Sequence, residues 1–205
     1  MMMQMRTSKT RRYRMGRRAE QVDQTRHRIV EAAVRLHTSA GPANTSIAGI
    51  AEAAGVTRVT VYRHFPDVEV LFEACQVHWE QQNPGPDPVE WRGLEPLEHR
   101  ALVALRALYR WYREHADELY PIHRDLEAMP AAARERTSAD TRALAEALVE
   151  GHGRRGRAGR GLLATAGHVA SFWTWRSLAL EQGLDDEEAA ELGARFLAAA
   201  TAATA

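Results

Sequence analysis

The sequence predicts an all-α protein in two parts, a small three-helix head carrying a helix-turn-helix and a larger helical domain. Three observations predict it. Apolar residues recur at helical spacing through most of the 205 residues, and strand-like alternation appears nowhere. Residues 43–65 read as two short helices joined by a tight turn. Residues 83–88, Asn-Pro-Gly-Pro-Asp-Pro, then break the chain, because a helix does not continue through three prolines and a glycine in six positions.

Residues 1–22 read as a basic, flexible N-terminal arm. They hold Arg6, Lys9, Arg11, Arg12, Arg14, Arg17 and Arg18 against Glu20 alone. Residues 23–80 hold five arginines against seven acids, and the whole chain balances at 27 against 27, so the positive charge is concentrated in the arm. Such an arm suits phosphates or the minor groove, with Arg14, Arg17 and Arg18 as the candidate contacts; a solvated tail is the bland alternative. The basic start is not followed by an apolar run, so no signal peptide is expected. No stretch approaches the ~20 apolar residues that span a bilayer. The lone Cys75 has no internal partner for a disulfide, which suits a reducing cytoplasm.

Residues 23–66 form the predicted head. Ser46 is a good N-cap for the first helix of the hairpin, and Ile47, Ile50, Ala51 and Ala54 then give it one apolar face. The small Ala51, Ala53 and Ala54 allow close approach of a second helix. Gly55 stands where a left-handed residue ends a helix, and Thr57 caps the next one. On that helix Val61 and Phe65 point inward. Arg58, Val59, Thr60, Tyr62, Arg63 and His64 are left outside. Arg58 and Thr60 suit base edges, Val59 a thymine methyl, and Tyr62, Arg63 and His64 phosphates. Arg26, Thr45, Ser46 and Thr57 complete the candidate DNA contacts. Two capped helices by themselves also fit an ordinary helical hairpin in an all-α core.

The segment resembles the DNA-binding domain of the TetR family of bacterial transcriptional regulators. Thr25-Arg26-His27-Arg28-Ile29-Val30-Glu31-Ala32-Ala33 is similar to the first helix of that domain. Gly55-Val56-Thr57-Arg58-Val59-Thr60-Val61-Tyr62-Arg63-His64-Phe65 is similar to its turn and recognition helix, and the resemblance covers about residues 24–80. The family often carries a lysine just after the recognition helix; here Pro66-Asp67-Val68-Glu69 has no basic residue. The resemblance implies a homodimer on a palindromic DNA site, most simply a repressor released by a small-molecule ligand. An activator, or a regulator controlled by a protein partner, is the alternative, and an all-α enzyme a remote one.

Residues 67–205 form the predicted ligand-binding and dimerisation domain, beginning with a connecting helix over 67–82. On that helix Cys75 shares a stripe with Val68, Leu71 and His78 and reads as a buried small hydrophobe. Leu94, Leu97, Ala101, Leu105, Leu108 and Tyr112 mark a helix over 94–115. Helices near 117–128 and 131–150 follow, then a Gly/Arg loop over 151–161, then helices over 162–182 and 185–202. Leu163, Ala166, Ala170, Trp173 and Leu178 line one of the last two helices, and Leu192, Phe196 and Ala199 the other. Small residues with aromatics between them suit a helical dimer interface, and the resemblance implies a four-helix bundle from these helices of two protomers. It also implies a ligand pocket whose occupation moves the connecting helix and changes the spacing of the two heads. Trp111, His115, Tyr120, His123, Trp173 and Trp175 are candidate lining residues. Tyr109, Trp111 and Tyr112 cannot all face one way, so at least one is exposed or interfacial.

Other motifs carry little. Gly151-His152-Gly153-Arg154-Arg155-Gly156 has the spacing of a dinucleotide loop but follows a helix pattern, not a strand. His123-Arg124-Asp125-Leu126 has no further kinase feature beside it. The nine histidines show no metal-ligand spacing, so no metal or cofactor is expected, and no nucleophile or acid/base constellation supports an enzyme.

Overall fold

A computed structural model describes residues 5–152 and 156–202, with side chains described from residue 19 to residue 201 of these. Every regular element among the described residues is a helix, and the chain divides into two compact units, one ending at Gln82 and the other beginning at Asn83.

The first unit contains α1 (Met5–Ser39), α2 (Ile47–Ala53), α3 (Arg58–His64) and α4 (Val68–Gln82). Its core follows from helical spacing. Ile29, Val30, Ala32 and Ala33 of α1 meet Ile50, Ala51 and Ala54 of the α2 segment and Val61 and Phe65 of the α3 segment. Leu71 and Cys75 of α4 close the same core. The Ser46 hydroxyl accepts from Gly49 N at 3.1 Å and starts α2. Gly55 ends it at φ 66°, donating to Glu52 O at 3.0 Å, while Val56 N reaches Ala51 O at 2.9 Å. These two bonds form a Schellman turn, which reverses the chain at a residue with no Cβ. Thr57 then starts α3 by accepting from Thr60 N at 3.2 Å.

Two boundaries differ from those read in the sequence. Residues 67–82 pack with the head, not with the second unit, because Leu71, Phe72 and Cys75 are buried against α1 and His37 stacks on Phe72 at 4.4 Å. Asp67, near the position where the family often carries a lysine, caps α4 by accepting from Val70 N at 2.8 Å. The arm, read as flexible, is helical from Met5 and continuous with α1. Its Arg, Met, Gln and Lys residues are good helix formers, and no proline interrupts them.

The second unit contains α5 (Leu97–Glu114), α6 (Ala116–Arg124), α7 (Ala131–Leu148), α8 (Gly156–Val169), α9 (Phe172–Arg176), a π-helical turn (Ser177–Glu181) and α10 (Asp186–Ala202). α5 packs along α10, and Gly193 makes the crossing possible: a Cβ there would stand 2.8 Å from Leu105 Cδ1. Arg106 pairs with Glu187, and Arg113 with Asp186 at 2.6 Å. Burial of Tyr109 and Tyr112 leaves Trp111 as the half-buried member of that aromatic trio.

The helix expected over 162–182 is broken after Val169. Tyr109 Oη donates to Val169 O at 2.7 Å and Tyr112 Oη to Ala170 O at 2.8 Å, so two buried hydroxyls take carbonyls at the end of α8. Ser171 starts α9 by accepting from Trp173 N at 3.2 Å. The loop expected over 151–161 is shorter, since α8 begins at Gly156. Gly153, Arg154 and Arg155 lie outside the described residues.

Candidate nucleic-acid interface

The helix-turn-helix presents α3 with Val61 and Phe65 in the core, at 0% and 1% exposure, and its other side chains outward. Arg58 and Arg63 are exposed, with no ion-pair partner among the described residues. Val59 is 78% exposed and Tyr62 51%. Such large apolar surfaces on a helix beside two guanidiniums have no folding role, and they suit a partner that offers both phosphates and apolar base edges.

The remaining candidates divide by what already occupies them. Ser46 and Thr57 are caps, exposed at the rim. The Thr57 and Thr60 hydroxyls lie 3.0 Å apart and hydrogen-bond to each other at the cap. Thr45 is half-buried, and its hydroxyl donates to Gly41 O at 2.9 Å, holding the loop before α2. Arg26 is committed further. Its Nη1 donates to His64 O at 2.8 Å, and its guanidinium lies 4.1 Å from the centre of the Phe65 ring. It places a cation at the carbonyl end of α3, where the helix dipole favours one. Arg26 is therefore a clamp between α1 and α3. His64 is half-buried beside it; desolvation, then the charges of Arg63 and Arg26, hold its imidazole below the usual histidine range. Gln21, Val22, Thr25, Arg63 and His64 line an open groove of about 430 Å³ between α1 and α3. The side chains of Arg14, Arg17 and Arg18 lie outside the described residues.

Comparison with known proteins bears on the same segment. Residues 29–75 match the family model "Bacterial regulatory proteins, tetR family". The head is a TetR-family domain. The TetR-family relatives include the HTH-type transcriptional regulator AcrR of Shigella flexneri, 38% identical over 85 residues, which are 40% of this chain and 38% of the relative. The HTH-type transcriptional regulator TtgR of Pseudomonas putida is 45% identical over 58 residues, 28% of each chain. The matched stretches thus span under two-fifths of these relatives. NalD, the secondary repressor of the MexAB-OprM multidrug efflux pump in Pseudomonas aeruginosa, shares the fold at a TM-score of 0.53 and 24% identity, over 87% of this chain and 96% of that one.

In the second unit the six aromatic candidates fall into several ring-ring contacts. Trp111 packs on His115 at 5.2 Å and on Tyr112 at 5.6 Å. His123 stacks on Phe172 at 4.6 Å, where burial pushes its pKa down to about 4. Tyr120 meets Trp173 edge-on at 6.0 Å, with the Arg176 guanidinium 4.5 Å from its ring centre. Trp175, a candidate for pocket lining by sequence, is 0% exposed and donates through Nε1 to Asp186 Oδ1 at 3.0 Å, so it is a core residue tying α9 to α10. Phe172 does not stand out in the sequence, yet it touches Tyr112, His123, Trp173 and Trp175. The run Phe-Trp-Thr-Trp is the available signal.

The dimer-face residues also separate. Ala166 and Ala170 are fully buried within this unit, and are corrected to internal core. Leu163, Leu178 and Leu192 are half-buried, and Ala199 is exposed. Trp173 and Phe196 are each 44% exposed, as is Leu180 at 43%. No described helix is long and apolar enough to cross a membrane, and no group of three His, Cys, Asp or Glu residues among the described residues is placed to hold a metal.

Proposed function

We propose that this chain is a transcriptional repressor that binds an inverted-repeat DNA site as a homodimer and leaves it when a small molecule binds the second unit. The observation that carries the reading is α3: a capped helix on a TetR-family head whose outward face holds Arg58, Val59, Tyr62 and Arg63 free of the core. Two copies of such a helix read a two-fold site, which is why a dimer goes with the reading. Trp173, Leu180 and Phe196 supply exposed apolar surface for the partner copy. The aromatic set around Tyr120, His123, Phe172 and Trp173 is the ground for an effector site, with His123 uncharged at neutral pH. The cytoplasm is the compartment that fits a DNA-bound regulator with one buried thiol.

The test is selection of duplexes from a random DNA pool by the purified full chain, with the retained pool sequenced. Enrichment of one inverted repeat supports a dimeric, sequence-specific binder and supplies the probe for effector screening. Binding that enriches nothing and vanishes at moderate salt overturns the reading and leaves phosphate adhesion alone.

A further inference from the structure

We infer that the break between α8 and α9 is a two-state switch, which decides whether Trp173 or Trp175 faces the surface. The inference goes beyond the reading above; only its consequence for a partner copy rests on that reading. Residues 156–182 contain no proline, and no glycine after Gly167, so no breaker residue ends the helix at Val169. Side chains hold the break. In a continuous helix the carbonyls of His168, Val169 and Ala170 would accept from the N–H groups of residues 172, 173 and 174. Here each accepts from a hydroxyl: Thr174 Oγ1 donates to His168 O at 2.6 Å, Tyr109 Oη to Val169 O at 2.7 Å and Tyr112 Oη to Ala170 O at 2.8 Å. The N–H groups of Trp173 and Thr174 turn instead to Ser171, to Oγ at 3.2 Å and O at 3.1 Å. Three hydroxyls thus stand in for three backbone donors, and both arrangements satisfy the same carbonyls.

The two arrangements present different side chains. At ~100° per residue, a continuous helix places Trp173 about 20° from the buried Ala166, on the inward face, and Trp175 about 180° from it, on the outward face. The break reverses this. Trp175 is 0% exposed and donates through Nε1 to Asp186 Oδ1 at 3.0 Å, while Trp173 is 44% exposed. The π-helical turn Ser177–Glu181 follows directly, and such turns are rare and recur at functional sites. In the broken state Trp173 adds to the exposed apolar surface that Leu180 and Phe196 supply. In the continuous state that indole is withdrawn.

The experiment labels the full chain with fluorotryptophan and follows it by fluorine NMR, with saturation transfer to detect a minor state. Trp173→Phe and Trp175→Phe assign the two resonances. In the wild type the Trp173 signal should shift between light and heavy water and the Trp175 signal should not. Tyr109→Phe and Tyr112→Phe each leave a buried carbonyl without its donor, which tilts the equilibrium toward the continuous helix by about tenfold. The double variant should therefore gain a second pair of resonances, with Trp175 sensitive to the solvent and Trp173 shielded. Ser171→Ala removes the cap of α9 and leaves the core side chains in place; it should move the populations the same way by about fivefold. A single set of resonances in the wild type, the double variant and Ser171→Ala, with only a lowered melting temperature, overturns the inference. Sedimentation velocity on the same proteins reads the consequence, since self-association should weaken as the fraction of shielded Trp173 rises. Exchanged tryptophans with unchanged association support the switch and remove Trp173 from the partner-copy surface, a failure of the dimer reading alone.

Discussion

Replacing Arg26 by glutamine separates a clamp from a phosphate contact. Residues of this kind are readily taken as DNA ligands because they are basic and lie near the recognition helix. Here the guanidinium donates to the His64 carbonyl at 2.8 Å and covers the Phe65 ring at 4.1 Å. A hydrogen bond from a charged donor is worth ~1.5–3 kcal/mol, and a partly exposed cation–π contact ~0.5–1 kcal/mol. Arg26 is half-buried, so solvent screening trims the sum to about 2 kcal/mol. That free energy belongs to the docking of α3 on α1. Amide hydrogen exchange on peptides covering 58–66 should therefore speed up about 30-fold in Arg26→Gln. The slope of log affinity against log salt, measured on the selected DNA site, should stay unchanged. Arg26→Lys should recover only part of the protection, because an ammonium lacks the planar fork that spans carbonyl and ring. A fall of about 0.9 in the salt slope with unchanged exchange would refute the argument and make Arg26 a phosphate ligand.

Three further outcomes follow from the same structure. Arg58→Ala should cost ~1–3 kcal/mol on the selected site and relax preference at one base pair; uniform weakening across sequences would mark a phosphate contact instead. Burial holds His37 and His123 at pKa values of about 4, against 6.5 when free. Between these values the unfolded chain binds more protons, so stability is full above pH 6.5 and falls as pH drops toward 4. Each group contributes on the order of 2–3 kcal/mol to that loss. Urea unfolding across the window should show it, and His37→Gln should flatten the profile of the head; an unchanged profile would place the titration elsewhere. Gly193→Ala would set a Cβ 2.8 Å from Leu105 Cδ1, a side chain that is itself 0% exposed. The crossing of α5 on α10 should lose ~1–3 kcal/mol, read as a lower melting temperature of the second unit; an unchanged melt would show that Leu105 has room to turn.

The head was legible because its signals are local. Ser46, Gly55 and Thr57 act within three residues of themselves, and their capping and left-handed roles follow from backbone chemistry. The inward pair Val61 and Phe65 follows from helical spacing in the same way. The partners of longer side chains were not legible. Arg26 reads as a free cation until α3 brings the His64 carbonyl to it, 38 residues along the chain. The second unit repeats the lesson: the helix over 162–182 looks continuous until Tyr109 and Tyr112, 60 and 58 residues earlier, take the carbonyls at which it breaks.

The sequence by itself determined the all-α class, the helix-turn-helix with its caps, and which side of α3 faces out, since these depend on periodicity and on groups a few residues apart. Tertiary structure decided what covers each face. An alanine stripe reads the same whether its own chain or a second copy lies against it, and packing assigned Ala166 and Ala170 to the former. It also gave α4 to the head, through Leu71, Phe72 and Cys75. Periodicity specifies that a face is buried. Only contacts between distant segments specify against what.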